Sequence, residues 1–208
     1  MLKHQRQFWD MPNRIVLLVG GYGSGKTYIG ALKSLYMSYL NSPIPGMYVS
    51  PSHQLATKTI IITLKELCNR AGIDYTYNQQ RSEFIFHNWN GKLWLGSGDK
   101  PDSLRGPNIG WAVIDEPFIQ KREVFEQMIA RVRHPEAKKS QIFLTGTPEQ
   151  LNWGFNLAND TNLDIGIIQA STLDNPHLPD DYKQSLLQAY SEEQIEAYVY
   201  GKFVNLTQ

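Results

Sequence analysis

Residues 19–28 read VGGYGSGKTY and follow RIVLL, a run of β-favouring residues. From Gly20 to Thr27 the chain satisfies G-x-x-x-x-G-K-[ST] at every position, as Gly20, Gly21, Tyr22, Gly23, Ser24, Gly25, Lys26 and Thr27. The glycines let successive backbone N–H groups converge on an anion without Cβ clashes. Lys26 then opens a helix whose N-terminal dipole favours the same anion, here the phosphates of a nucleotide. Its ammonium can reach the β- and γ-phosphates, and the Thr27 hydroxyl can ligate Mg²⁺. A strand before and a helix after this loop point to an open, mostly parallel sheet covered by helices.

The rest of the chain agrees with that class. Strands are predicted at Arg14 to Val19, Met47 to Ser50, Glu83 to Phe86, Lys92 to Leu95, Trp111 to Ile114, Gln141 to Leu144 and Ile165 to Gln169. Helices are predicted at Lys26 to Leu40, Gln54 to Ala71, Arg122 to Arg131, Asp181 to Tyr190 and Glu192 to Tyr200. Strand and helix patterns in alternation favour a parallel α/β architecture. The stretch YNQQRSEFIFHNWNGKLWLGSG departs from it, reading as an antiparallel hairpin with Asn90-Gly91 in a tight primed turn.

WAVIDEP supplies the second half of a nucleotide site. Four apolar residues end in Asp115 and Glu116, as expected of a buried strand delivering carboxylates to the edge where open α/β sheets bind ligands. Asp115 is placed to hold Mg²⁺, mostly through water. Glu116 can polarise the attacking water as general base. In QIFLTGTP, Thr145 and Thr147 are small hydroxyl residues at a strand end, suited to sensing a γ-phosphate by hydrogen bonds.

With these motifs the chain resembles the ATPase domain of the large terminase subunit, the DNA-packaging motor of tailed bacteriophages. QRQF resembles the family's adenine-contacting segment, with Gln5 the better candidate and Gln7 the alternative. SLRGPNIGWAVIDEP resembles its second motif, LTGTP its coupling motif, and STLDNPHLPDDYKQSLLQAYSEEQIEAYVYGKF the stretch leading towards a nuclease domain. The resemblance implies an α/β P-loop NTPase of the additional-strand, catalytic-glutamate (RecA-like) type. The strand Gln141 to Leu144 would then lie between those carrying Gly20 and Asp115. Composition shifts near Ser171, after which STLDNPHLPDDY leads into two polar helices without further strands, so residues 1–170 are expected as ATPase core and 171–208 as a helical appendage. The resemblance further implies ATP and Mg²⁺ as cofactors, with double-stranded DNA, a homo-oligomeric ring (a pentamer) on the procapsid portal, and the small terminase subunit as partners. Some terminases carry an arginine finger in the phosphate loop, where this chain has Tyr22 and Ser24. Arg105 is the expected replacement, acting across a subunit interface, with Arg122 and Arg131 as fallbacks.

Composition limits the other readings. The chain has 208 residues, enough for one sizeable α/β domain. No 18-residue apolar window exists, so no membrane span is expected, and the single Cys68 fits a reducing setting, the host cell cytoplasm. The five histidines lack metal-ligand spacing, and no trio of clustered carboxylates suits a nuclease, so no DNA cleavage is expected. Twenty basic and twenty acidic residues balance, so a DNA-contacting face is not marked. The most basic region is Lys121 to Lys139. A helicase-like or other DNA-dependent ATPase, or a nucleotide-gated assembly protein, are the alternatives.

Overall fold

The computed structural model describes residues 1–149 and 153–204. In chain order its elements begin with α1 (Lys3–Asp10), β1 (Ile15–Gly20), α2 (Lys26–Leu40), β2 (Gly46–Ser50), α3 (His53–Lys58) and α4 (Ile60–Ala71). There follow β3 (Tyr75–Asn78), β4 (Glu83–Phe86), β5 (Gly91–Ser97), β6 (Ala112–Asp115), α5 (Arg122–Arg131) and β7 (Ile142–Gly146). The last are α6 (Trp153–Ala158), β8 (Ile165–Ala170), α7 (Asp180–Ala189) and α8 (Glu192–Tyr198). Short 3₁₀ turns cover Pro101–Leu104, Pro117–Ile119 and Thr172–Asp174.

The strands form a single sheet in the order β3-β4-β5-β2-β6-β7-β1-β8. The β3-β4 and β4-β5 pairs are antiparallel, and the five pairs from β5 to β8 are parallel. As expected, β7 lies between β1 and β6. Side chains alternate across each strand, so one strand feeds two cores. Val16 and Leu18 of β1 join Ile29, Leu64, Trp111 and Phe143 on the α1/α2/α4 face. Ile15, Leu17 and Val19 join Ile114, Val124, Met128 and Leu144 on the α5 face. Both faces being covered explains why β1, β2, β6 and β7 are apolar without alternation.

The differences from sequence expectation have local causes. The helix expected over Gln54 to Ala71 is two helices broken at Thr59 (φ −126°, ψ −90°). Thr57, Thr59, Ile60, Ile61, Ile62 and Thr63 form a β-branched cluster that is poor at sustaining one helix. The break lets Ile60, Ile61 and Leu64 bury together. β3 was missed because YTYN lacks an apolar alternation; it is held at the sheet edge by cross-strand aromatic pairing, Tyr77 stacking on Phe84 at 4.6 Å. α1 and the one-and-a-half-turn α6 were also missed. In the hairpin, Phe86 pairs with Gly91, so the loop comprises residues 87–90. Asn90 alone takes a left-handed conformation there (φ 54°), while Gly91 opens β5, so the tight primed turn is corrected to a longer loop. α8 ends at Tyr198 rather than Tyr200, because the amides of Gly201 and Lys202 turn back to Ala197 O and Glu196 O, with Gly201 left-handed (φ 67°). Residues 205–208 of the expected appendage lie outside the described residues.

Candidate nucleotide-binding site

The phosphate loop connects β1 to α2 at the C-terminal edge of the sheet. Gly23 (φ 72°) and Gly25 (φ 87°) take left-handed conformations that permit the loop's tight curl. The amides of Gly21 and Tyr22 are already spent, donating to Ala170 O (3.1 Å) and Tyr198 O (2.7 Å). The donors left to an anion are the amides of Gly23 and Gly25, which make no hydrogen bond among the described residues, and those of the first turn of α2. Lys26 is buried, and its ammonium donates to Gly20 O (3.0 Å) and Gly21 O (2.9 Å). Burial lowers its pKa from the ordinary value, while Glu116, Asp115 and Glu149 act to raise it. A buried cation resting on two neutral carbonyls is poised to move to a phosphate.

β6 places Asp115 opposite the loop, and β7 supports it. The Thr145 hydroxyl donates to Asp115 Oδ1 at 3.1 Å, and Gln120 Nε2 donates to Asp115 O at 2.6 Å. Burial raises the Asp115 pKa; hydrogen bonding from Thr145 and the charge of Lys26 oppose that rise. The Tyr48 hydroxyl faces Asp115 but makes no hydrogen bond of regular geometry.

Glu116 follows at φ 46° and ψ 56°, an uncommon conformation for a residue with a Cβ. Its amide donates to Thr145 O (2.7 Å), and Thr147 N donates to its Oε2 (3.0 Å). The strained backbone turns the side chain out of the strand's path, and the Thr147 amide fixes the carboxylate. Strain of this kind persists where surrounding structure enforces it, commonly at functional sites. Burial, the largest cause, and the Asp115 charge push the Glu116 carboxyl up to about 7, against the pull of Lys26.

The residues present fit a nucleotide with its metal ion. Ser50 ends β2 one register step beyond the Val49–Ile114 pair, beside Asp115, and its buried hydroxyl has no partner among the described residues. The same is true of the Thr147 hydroxyl. Buried polar atoms of this kind ordinarily find partners, and here both border the site. Next to Gly25 opens a cavity of about 410 Å³ lined by Met1, Leu2, Gln5, Tyr28, Arg70, Asn175 and His177. Its size and position suit a base and ribose.

Gln5 lies in that cavity, its Nε2 donating to Gly25 O (3.2 Å) and its Oε1 accepting from Leu2 N (2.8 Å). Gln7 is exposed. Glu149, Ser50, Arg70, Asn175 and His177 carry no motif, and only folding brings them here, whereas Tyr28 directly follows Thr27 of the loop. Glu149 accepts from the Tyr22 hydroxyl at 3.0 Å, and the Tyr22 ring stacks on Tyr198 at 4.9 Å. The segment after β8 grips the same loop: the Thr172 hydroxyl donates to Tyr22 O (2.6 Å) and Asn175 Nδ2 to Gly23 O (2.7 Å). A Cβ on Gly21 would meet Thr172 Oγ1 at 2.4 Å, which requires glycine there.

Among the described residues Arg105 makes no hydrogen bond or ion pair with the phosphate loop of its own chain. It follows the 3₁₀ turn Pro101–Leu104, its side chain is 67% exposed, and it pairs with Asp102 at 3.3 Å. Of the fallbacks, Arg122 is exposed and pairs with Glu126, and Arg131 is buried.

A phosphate loop, an acidic strand end and an intervening strand define a P-loop NTPase of the additional-strand, catalytic-glutamate (RecA-like) type. Residues 17–208 match the family described as terminase large subunit, T4likevirus-type, N-terminal, and the chain belongs to that family. It is 29% identical over 141 residues to the PBSX phage terminase large subunit of Bacillus subtilis (strain 168), covering 66% of this chain and 32% of that one. The large terminase of a thermophilic bacteriophage, solved in complex with ADP, shares the fold at a TM-score of 0.86 and 13% identity, over 98% of this chain and 53% of that one. The large terminase ATPase domain of Thermus phage P74-26 does so at 0.71 and 14%, over 96% and 92%. The chain therefore spans about a third of the PBSX protein and about half of the first phage terminase.

Proposed function

We propose that this chain is the ATP-hydrolysing motor domain of a viral DNA-packaging terminase, coupling hydrolysis to translocation of double-stranded DNA into a procapsid. The observation that carries the reading is the Glu116 carboxylate, turned out by a left-handed backbone and fixed by Thr147 N beside the loop of Lys26. Glu116 takes the proton of the attacking water. Lys26 leaves the Gly20 and Gly21 carbonyls for the β- and γ-phosphates, and the free amides of Gly23, Gly25 and the α2 first turn hold the phosphate oxygens. Thr27 and Asp115 would hold Mg²⁺, which when bound neutralises charge on the phosphates. Thr145 orients Asp115, and Gln5 borders the adenine. Arg105 reaches the site of a neighbouring subunit.

The partition into a core of residues 1–170 and an appendage of 171–208 belongs to this proposal, as do the ring on the procapsid portal, the small terminase subunit and the host cytoplasm. Among the described residues no helix is long and apolar enough to cross a membrane. The deciding measurement is ATP hydrolysis in Mg²⁺ with and without double-stranded DNA. Turnover that DNA accelerates is expected. Nucleotide binding without turnover would favour a nucleotide-gated assembly protein, and turnover indifferent to DNA would overturn the motor.

A further inference from the structure

Arg131 closes α5 and is 5% exposed, yet no ion pair involves it among the described residues. An unpaired buried guanidinium is costly, and burial lowers its pKa accordingly. Its donors go instead mainly to the carbonyls of one loop, with Met47 Sδ a further acceptor for Nη1 at 3.7 Å. Nε and Nη2 donate to Pro107 O at 3.0 and 2.9 Å, and Nη1 donates to Leu104 O. Its own carbonyl accepts from Ile109 N at 2.9 Å, tying down the same loop where it leaves towards β6.

The two residues between the grasped carbonyls are Arg105 and Gly106. Leu104 is fully buried beneath them, and Gly106 holds φ 151°, in the region that favours glycine. The loop is thus fixed at its base on both sides of Arg105, whose own side chain stands in solvent. An aliphatic residue would fill the Arg131 site at lower cost, so the fork of donors is what the site requires.

We infer that Arg131 is a positioning residue that presents Arg105 to the neighbouring subunit. This rests on the reading of Arg105 as a finger acting in trans. It also removes Arg131 from the candidates for the finger itself.

Three variants test it in the full chain: Arg131→Met, Arg131→Lys and Gly106→Ala. The last strains the loop backbone at φ 151° while its added methyl meets the Arg131 guanidinium only at ordinary contact distance (3.5 Å), and so stands if Arg131→Met fails to fold. Hydrogen exchange over residues 104–109 should accelerate at least about tenfold in Arg131→Met, and less in Arg131→Lys, whose single ammonium cannot span both carbonyls. At concentrations that drive assembly, Arg131→Met and Gly106→Ala should lose kcat while KM for ATP holds. The loss should approach that of Arg105→Ala, on the scale of about 10³ to 10⁵ for a finger. Adding Arg131→Met to Arg105→Ala should cost nothing more. Unchanged exchange, or losses that multiply in the double variant, would overturn the inference. Full activity in Arg105→Ala would instead remove the finger, and exchange over the loop would still decide whether Arg131 holds it.

Discussion

The amide of Thr147 donates to the carboxylate of Glu116 at 3.0 Å, linking the strand-end loop after β7 to the acid after β6. Two strands adjacent in the sheet, but 31 residues apart in sequence, thereby hold one carboxylate. Thr145 and Asp115 repeat the link one step earlier, at 3.1 Å. If Glu116 faces the γ-phosphate as proposed, a change there would reach the β7 loop through one hydrogen bond.

If Glu116 is the general base, Glu116→Gln should keep nucleotide affinity and lose turnover by about 10²- to 10⁴-fold. The amide retains the acceptor for Thr147 N but cannot take a proton. Single-turnover hydrolysis beside equilibrium binding of labelled ATP measures both quantities. Turnover near the parent rate would remove Glu116 from that role.

The raised Glu116 carboxyl has a consequence for stability in the metal-free, nucleotide-free protein. Its folded pKa of about 7 lies above the ordinary 4.5, so the native state binds the proton more tightly than the unfolded chain. The group's contribution is present in full below pH 4.5 and is lost as pH rises through about 7. Glu116→Gln removes that loss. Its melting temperature should match the parent's at low pH and exceed it above pH 7, by an amount corresponding to at most about 3 kcal/mol. Thermal melts in chelator across this range check it, and a pH-independent difference would place the proton on another group.

Tyr22 meets Glu149 through its hydroxyl and Tyr198 through its ring. Tyr22→Phe should keep the stacking but release Glu149, a carboxylate whose charge is felt at Lys26. ATP affinity should then fall by about three- to tenfold, and Glu149→Gln in the same chain should recover it. A Tyr22→Phe defect that Glu149→Gln leaves untouched would show that the hydroxyl acts by another route.

Arg105 in trans predicts complementation. Arg105→Ala and Glu116→Gln should each be inactive alone and active when mixed, because one interface type joins an intact Glu116 to an intact Arg105. The parent chain should also hydrolyse ATP faster per subunit as concentration drives assembly. A co-assembled mixture no faster than either variant would count against the finger.

Local pattern alone is enough to read the skeleton of the candidate nucleotide site. A phosphate loop is read by contiguous backbone geometry, so Gly20 to Thr27 are legible without tertiary knowledge. Asp115 and Glu116 are legible because a buried apolar run ending in acids has few other uses, and the alternation of apolar, β-rich runs with helical patterns pointed to the sheet's parallel half. The tertiary structure alone decided what surrounds that skeleton. Glu149, Ser50, Arg70 and His177 reach the site through crossover connections, and no local pattern encodes which strand ends become neighbours. The grip of Thr172 and Asn175 on the phosphate loop, and of Arg131 on the loop of Arg105, is likewise made by side-chain donors to backbone carbonyls far along the chain. A carbonyl acceptor is supplied by every residue type, so such bonds leave no signature in residue identity. Thr59, at the break between α3 and α4, is the opposite case: its β-branched neighbours weakened the helix locally, but only the burial of Ile60, Ile61 and Leu64 decided that it would bend there.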